Sequence, residues 1–348
     1  MSDEHTFFFL DLFSVNKNIK VGNALRYLLK IDLLIHKRDI GRKMSGALTM
    51  KLSCAKESRL KRYKVIRFQF DGRAAVLNQK ISDDWETSVK DNWLDNKRKI
   101  KEEIIAEFGA INCFRKIQDF SDIDSDQPSL IAFHNQFMKQ IANAYSFGAY
   151  YPALTGASSL GERILNHLVL KLREYFKATP EYQKVYRKNS FDNWDLAINT
   201  LESWDVLLPE AVATFRELKT VRNHSIHFNP ETDENYKETA LNSILLLKKI
   251  IRQQFSGFGA QPWYIAGTMG ACYVRESFED VPFVKEVVLP NCVKVGHLHS
   301  VERVGHQFQI IDEENYADIS VTDERFKELV NNASKYDKNN LLIGGDGT

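Results

Sequence analysis

Apolar positions in the middle of the chain recur at the helical period in five successive segments. The first covers 129–150. In the second, Leu160, Ile164, Leu168 and Leu172 repeat every four residues and mark one face. The cluster Gly156-Ala157-Ser158-Ser159 precedes that face. Ser158 or Ser159 is a candidate N-cap with Glu162 in reach for a capping box, so the helix is expected to begin there. The third segment, 194–204, aligns Trp194, Ile198 and Leu201. The fourth starts at Pro209, a residue suited to a first helical turn, and carries Val212, Phe215 and Leu218. The fifth, 234–255, turns Leu241, Ile244, Leu245 and Ile251 inward. Amphipathic helices with short connections predict an antiparallel helical bundle over 128–256.

The flanks follow other patterns. Residues 1–127 read as a mixed α/β basic region, with an apolar helix or buried segment at 21–34, a strand at 63–70, a helix at 91–107 and a polar linker at 118–128. Beyond 256 the period shortens. β-Branched runs at 283–289, 293–295 and 308–311 predict a small β-containing C-terminal extension over 257–348. The fold class expected is mainly α: a helical bundle between a mixed α/β N-terminal region and that extension.

Charge alters this picture locally rather than globally. The 348-residue chain has a formal charge of +1, which excludes a wholly acidic or wholly basic protein. Residues 37–70 nevertheless hold eleven basic side chains against two acidic ones, and 309–348 hold nine acidic against four basic. The basic run is a candidate RNA surface. Lys61, Arg62, Lys64 and Arg67 lie beside Tyr63, Phe68 and Phe70, which suit phosphate contact and base stacking. The competing reading is a solvated face or contact with the acidic tail. Four scattered cysteines form no C-x-x-C pair, and no stretch approaches the ~20 apolar residues of a membrane helix. Phe7-Phe8-Phe9-Leu10 is followed at once by Asp11, without a basic stretch before it or a cleavage site after it. A cytoplasmic location without membrane association is the expectation.

The chemistry concentrates at Thr220-Val221-Arg222-Asn223-His224-Ser225-Ile226-His227-Phe228-Asn229-Pro230. Polar and ionisable side chains interrupt an apolar face there, and Pro230 ends the helix at or before Asn229. RNA supplies its own nucleophile, the ribose 2′-hydroxyl. An imidazole moves protons near neutral pH, and a guanidinium meets charge building on the phosphorane. An amide can orient either group. None of this requires a cation or cofactor. Asn223 and His227, four apart, share a helix face, whereas Arg222 and His227 diverge by about 140°. Two antiparallel copies could bring the divergent pair to one phosphate, which suggests a composite cleft across a twofold axis. The competing readings are a non-catalytic RNA-binding or scaffold bundle, and a helix end whose cations merely suit its dipole.

Arg222-Asn223-His224-Ser225-Ile226-His227 resembles the Arg-polar-x-x-x-His motif of HEPN ribonucleases, helical proteins of toxin–antitoxin, abortive-infection and CRISPR-associated antiviral defence systems. The resemblance covers roughly 129–256. It implies a homodimeric bundle and metal-independent endoribonuclease activity that leaves a 2′,3′-cyclic phosphate. It further implies Arg222 and His227 as the catalytic pair, Asn223 as the polar residue beside the arginine, and an antitoxin or defence-system partner. His224 has no fixed role in that pattern.

Glu162 and Asn166 lie on one side of the second helix and are candidate supporting residues for the Arg222 cluster, Glu162 having plain capping as its rival role. Cys292, His297, His299 and His306 form the one tempting zinc set, but their spacing matches no standard framework, so no metal is expected. Phosphate-loop, H-E-x-x-H and G-x-S-x-G patterns do not occur.

Overall fold

The computed structural model describes residues 60–226, 234–304, 307–313, 316 and 319–343. It is a mainly helical bundle with short strands near its N- and C-terminal regions. The described residues fall into two compact units, one of 69–256 and one of 60–68 with 257–343. No helix among the described residues is long and apolar enough to cross a membrane.

The first unit is all helix at its centre. Its described α-helices are α1 (Arg73–Asn78), α2 (Thr87–Phe108), α3 (Cys113–Asp122), α4 (Asn135–Phe147), α5 (Tyr150–Leu172), α6 (Pro180–Val185), α7 (Trp194–Ser203), α8 (Pro209–Ile226) and α9 (Tyr236–Phe255). Helix α5 is the axis, packing on α4, α7, α8 and α9. Leu160, Ile164, Leu168 and Leu172 are almost wholly buried, as are Ile198 and Leu201 on α7 and Phe215 and Leu218 on α8. Each such side chain removed from water contributes about 1.5–3 kcal/mol.

Several local expectations change. Helix α5 does not start at Ser158 or Ser159; it runs from Tyr150 straight through Gly156, and Ser158 is buried within it. Small residues there permit close helix approach. A Cβ on Gly156 would stand 2.9 Å from Ile141 on α4, and one on Gly161 would stand 2.6 Å from Trp194 on α7. Residues 118–122 belong to α3 rather than a linker, because Phe120 anchors a cluster with Ile100, Ile104 and Phe108. On α9, Leu245 is exposed and Leu241 only half-buried, while Leu247 and Ile250 face the core.

Caps and clamps set the helix ends. Asn193 Oδ1 accepts from Leu196 N–H at 3.1 Å to start α7. Gln254 on α9 accepts from Leu208 N–H and donates to Val206 O, both at 2.9 Å, fixing the approach to α8. The described part of α8 ends at Ile226, so the expected stop before Pro230 lies outside the described residues.

In the second unit, β1 (Arg62–Val65) pairs antiparallel with β2 (Cys292–Val295), Arg62 opposite Val295 and Val65 opposite Cys292. β3 (Ser300–Val304) and β4 (Gln307–Ile311) form a hairpin, and α10 (Asp323–Ile343) packs Phe326 against Tyr273, Ile265 and Val295. The run at 283–289 is not a strand. It forms a π-turn at Val284–Val288 leading into a 3₁₀ turn at Leu289–Asn291, closed by Asn291 Nδ2 donating to Val287 O at 3.0 Å.

Candidate functional site

Arg222 leaves α8 in its last described turn and crosses to α5. Its guanidinium Nη2 lies 3.5 Å from Glu162 Oε2, and Nη1 donates to Asn223 Oδ1 at 3.2 Å. The guanidinium sits over the Trp194 ring, 6.0 Å from its centroid. Trp194 Nε1–H donates to the same Glu162 oxygen at 3.2 Å. A charged donor and an indole N–H thus converge on one carboxylate, and the ring beneath gives the cation an apolar seat. The Arg222 side chain is 26 % exposed and that of Glu162 35 %, so the pair remains open to solvent and to an incoming anion.

The sequence patterns that build this arrangement are separable. The Leu160-Ile164-Leu168-Leu172 stripe turns one side of α5 into the core and leaves Glu162 at its edge. Pro209 and the Gln254 clamp start α8 so that Phe215 and Leu218 face inward and Arg222 emerges at the margin. Gly161 lets Trp194 approach α5 closely enough to reach Glu162. Glu162 is therefore mid-helix and acts across helices rather than as a cap.

No family model, curated protein or solved structure matches the chain.

The other candidates take distinct places. Asn223 and His224 are exposed on α8. His227 lies outside the described residues. The Asn166 amide bonds to backbone groups. Its Nδ2 donates to Glu162 O and Phe191 O at 2.9 and 2.8 Å, and its Oδ1 accepts from Phe191 N–H at 2.6 Å. It pins the segment before α7, and hence Trp194, to α5. Two further cations extend along α8 but are held by carboxylates of α7, Lys219 by Asp195 at 2.5 Å and Arg216 by Glu202 at 2.6 Å.

Of the basic run, residues 37–59 lie outside the described residues. Lys61 lies 3.4 Å from Asp312. Arg62 is 1 % exposed and donates to Asp323 Oδ1 at 2.8 Å, Glu276 Oε2 at 3.0 Å and Val321 O at 2.7 Å. Both thus meet the acidic tail. Lys64 is half-buried against His299, and Arg67 is exposed. Of the zinc set, Cys292 donates its thiol to Val288 O at 3.3 Å, burial pushes that thiol up, and His306 is outside the described residues. Among the described residues no three His, Cys, Asp or Glu side chains are grouped to hold an ion.

Two features escape the sequence. Trp194 reads there only as a core residue, although an indole N–H on an amphipathic face is a donor that must find an acceptor. A buried carboxylate, Asp119, gathers Arg115 Nη1 at 2.6 Å, Tyr150 O–H at 2.6 Å and Lys237 Nζ at 2.9 Å from three other chain positions. Only its Arg115 contact, four residues apart on α3, is local; Tyr150 and Lys237 come from distant parts of the sequence.

Proposed function

We propose that this chain is a metal-independent endoribonuclease of the HEPN type, acting as a homodimer whose single composite cleft draws Arg222 and His227 from both copies. The observation that carries the reading is the half-buried Arg222 guanidinium at the end of α8, held by Glu162 and seated on Trp194 in the turn that leads to His227. The held guanidinium is pre-oriented for a phosphate, and its weak, long contact to Glu162 can yield to a charged, bidentate one.

In the reaction His227 takes the proton of the ribose 2′-hydroxyl or supplies one to the departing 5′-oxygen. Arg222 stabilises the phosphorane, and Asn223 orients the guanidinium through the contact it already makes. The products carry a 2′,3′-cyclic phosphate and a 5′-hydroxyl. A role in bacterial defence or growth arrest, with an antitoxin-like partner and a cytoplasmic setting, belongs to the same family resemblance. The guanidinium's existing engagement by Glu162 and Asn223 favours a second reading, a non-catalytic RNA-binding or scaffold bundle.

Incubation of the purified chain with total RNA in EDTA, followed by end mapping, separates the two. Cyclic-phosphate ends that disappear in Arg222→Ala support the enzyme. Intact RNA retained in a complex supports the scaffold.

A further inference from the structure

The second compact unit carries a lysine in an unusual setting. Arg62 and Lys64 alternate with Tyr63 on β1 and therefore project to the same face. Arg62 is met there by two carboxylates and a carbonyl. Lys64, two residues on, is met by none among the described residues. Its Nζ donates instead to His299 Nε2 at 2.7 Å. The tautomer follows from the partner on the other side of the ring. His299 Nδ1 lies 2.6 Å from Gly296 O, and a carbonyl can only accept, so Nδ1 carries the proton and Nε2 presents its lone pair. Tyr273 O–H lies 3.3 Å from the same Nε2, and the Lys64 ammonium position is 5.9 Å from the Tyr273 ring centroid. Asp312, the nearby acid, is already engaged by Lys61, Tyr316 O–H and Gly296 N–H.

A half-buried amine with a neutral imidazole in place of a counter-ion has its charged form destabilised, while one N–H is held by that ring. We propose that Lys64 is a nucleophilic amine that captures aldehydes as an imine, with His299 as the positioning residue and Tyr273 as the adjacent hydroxyl. The amine lone pair forms the C–N bond to the carbonyl carbon. The two protons on nitrogen pass to the carbonyl oxygen, which leaves as water, so no oxidant or reductant is consumed. Tyr273 O–H, 3.3 Å from Nε2, is the adjacent hydroxyl through which the relayed proton can pass. Burial supports the assignment, since it pushes the Lys64 ammonium down to about 8 and the His299 imidazole down to about 4.

The test uses the full chain with acetaldehyde and cyanoborohydride, the latter supplying hydride to trap any imine as an N-ethyl group, and reads each lysine by peptide mass spectrometry. At pH 7 an amine near 8 is neutral on the order of a hundredfold more often than an ordinary lysine near 10.4. Lys64 is therefore expected to be labelled at least about tenfold faster than Lys285, whose side chain is 50 % exposed, after allowance for burial. The wild-type rate at Lys64 should rise with pH and level off near 8. His299→Ala should slow labelling at pH 7 and move that midpoint toward the ordinary lysine range, whereas His299→Gln, which keeps an acceptor, should retain most of the rate. Labelling of Lys64 no faster than Lys285 in the folded wild type, or a rate still rising past pH 9.5, overturns the assignment without need of any variant. A wild-type profile in folded His299→Ala overturns the role of His299.

Discussion

Arg222 on α8 and Trp194 on α7 meet through one oxygen of Glu162, which lies 3.5 Å from the Arg222 guanidinium and accepts the indole N–H at 3.2 Å. The carboxylate therefore aligns a cation and an aromatic plane from two other helices, and it is the joint on which the geometry of the candidate site depends.

Changing that joint should separate function from stability. Because both charged side chains are about a third exposed, their ion pair contributes at most about 0.5–1 kcal/mol after solvent screening. Glu162→Gln keeps an acceptor for Trp194 but removes the charge. Urea unfolding is expected to move by less than about 1 kcal/mol, while RNA cleavage falls roughly tenfold as the guanidinium loses its alignment. An unaltered cleavage rate would remove Glu162 from the site.

Gly161 tests the packing that brings Trp194 to this joint. A Cβ there would stand 2.6 Å from the Trp194 ring and 2.9 Å from Leu218 Cδ2, and both are buried core side chains. Gly161→Ala gains helix propensity but forces repacking, for an expected net loss of about 1–2 kcal/mol in urea unfolding and a shift in tryptophan emission. Unchanged stability and emission would show that the contact is not tight.

The helical half of the fold is legible in the sequence because each helix needs only its own apolar stripe to declare itself. Leu160 to Leu172 and Val212 to Leu218 are of this kind. Where the reading fails, a residue's meaning depends on distant neighbours. Gly156 and Ser158 have the composition of a helix start, yet they serve as small contact residues inside α5. The valines at 284–288 have strand propensity, yet they close helical turns. The candidate site divides in the same way. The helical faces bring Glu162 and Arg222 together, whereas the bonds of Asn166 to Phe191 follow from a partner 25 residues away. The Trp194–Glu162 contact and the Tyr150 and Lys237 contacts of Asp119 depend on long-range pairing that no local pattern encodes.

Asp119 is a stability centre by its surroundings. The buried carboxylate takes Arg115 and Tyr150 at 2.6 Å and Lys237 at 2.9 Å, tying α3, α5 and α9 together. Asp119→Asn leaves those donors around a neutral amide. A loss of about 3 kcal/mol is expected in urea unfolding, somewhat softened because Arg115 and Lys237 can turn to solvent. A loss below about 1 kcal/mol would contradict this role.

Acid stability should report His134. The ring is fully buried against Phe255, with centroids 4.7 Å apart, and neither nitrogen finds a hydrogen-bond partner among the described residues. Burial pushes its imidazole down to about 3. The unfolded chain takes up this proton below about 6.5 while the folded protein does not. The contribution is therefore complete above pH 6.5 and is lost as pH falls toward 3, at about 1.4 kcal/mol per pH unit. His134→Leu should remove that part of the acid slope and leave the rest. An identical slope in the variant would contradict a buried neutral ring.

The most direct measurement is RNA cleavage in EDTA by wild type, Arg222→Ala and His227→Ala, each shown to be folded and to bind RNA. Wild type is expected to produce 2′,3′-cyclic phosphate ends, and each variant to lose at least about a hundredfold in rate with binding largely kept. Wild-type cleavage rates in His227→Ala, or RNA left intact by a folded, RNA-bound wild type, would contradict the account.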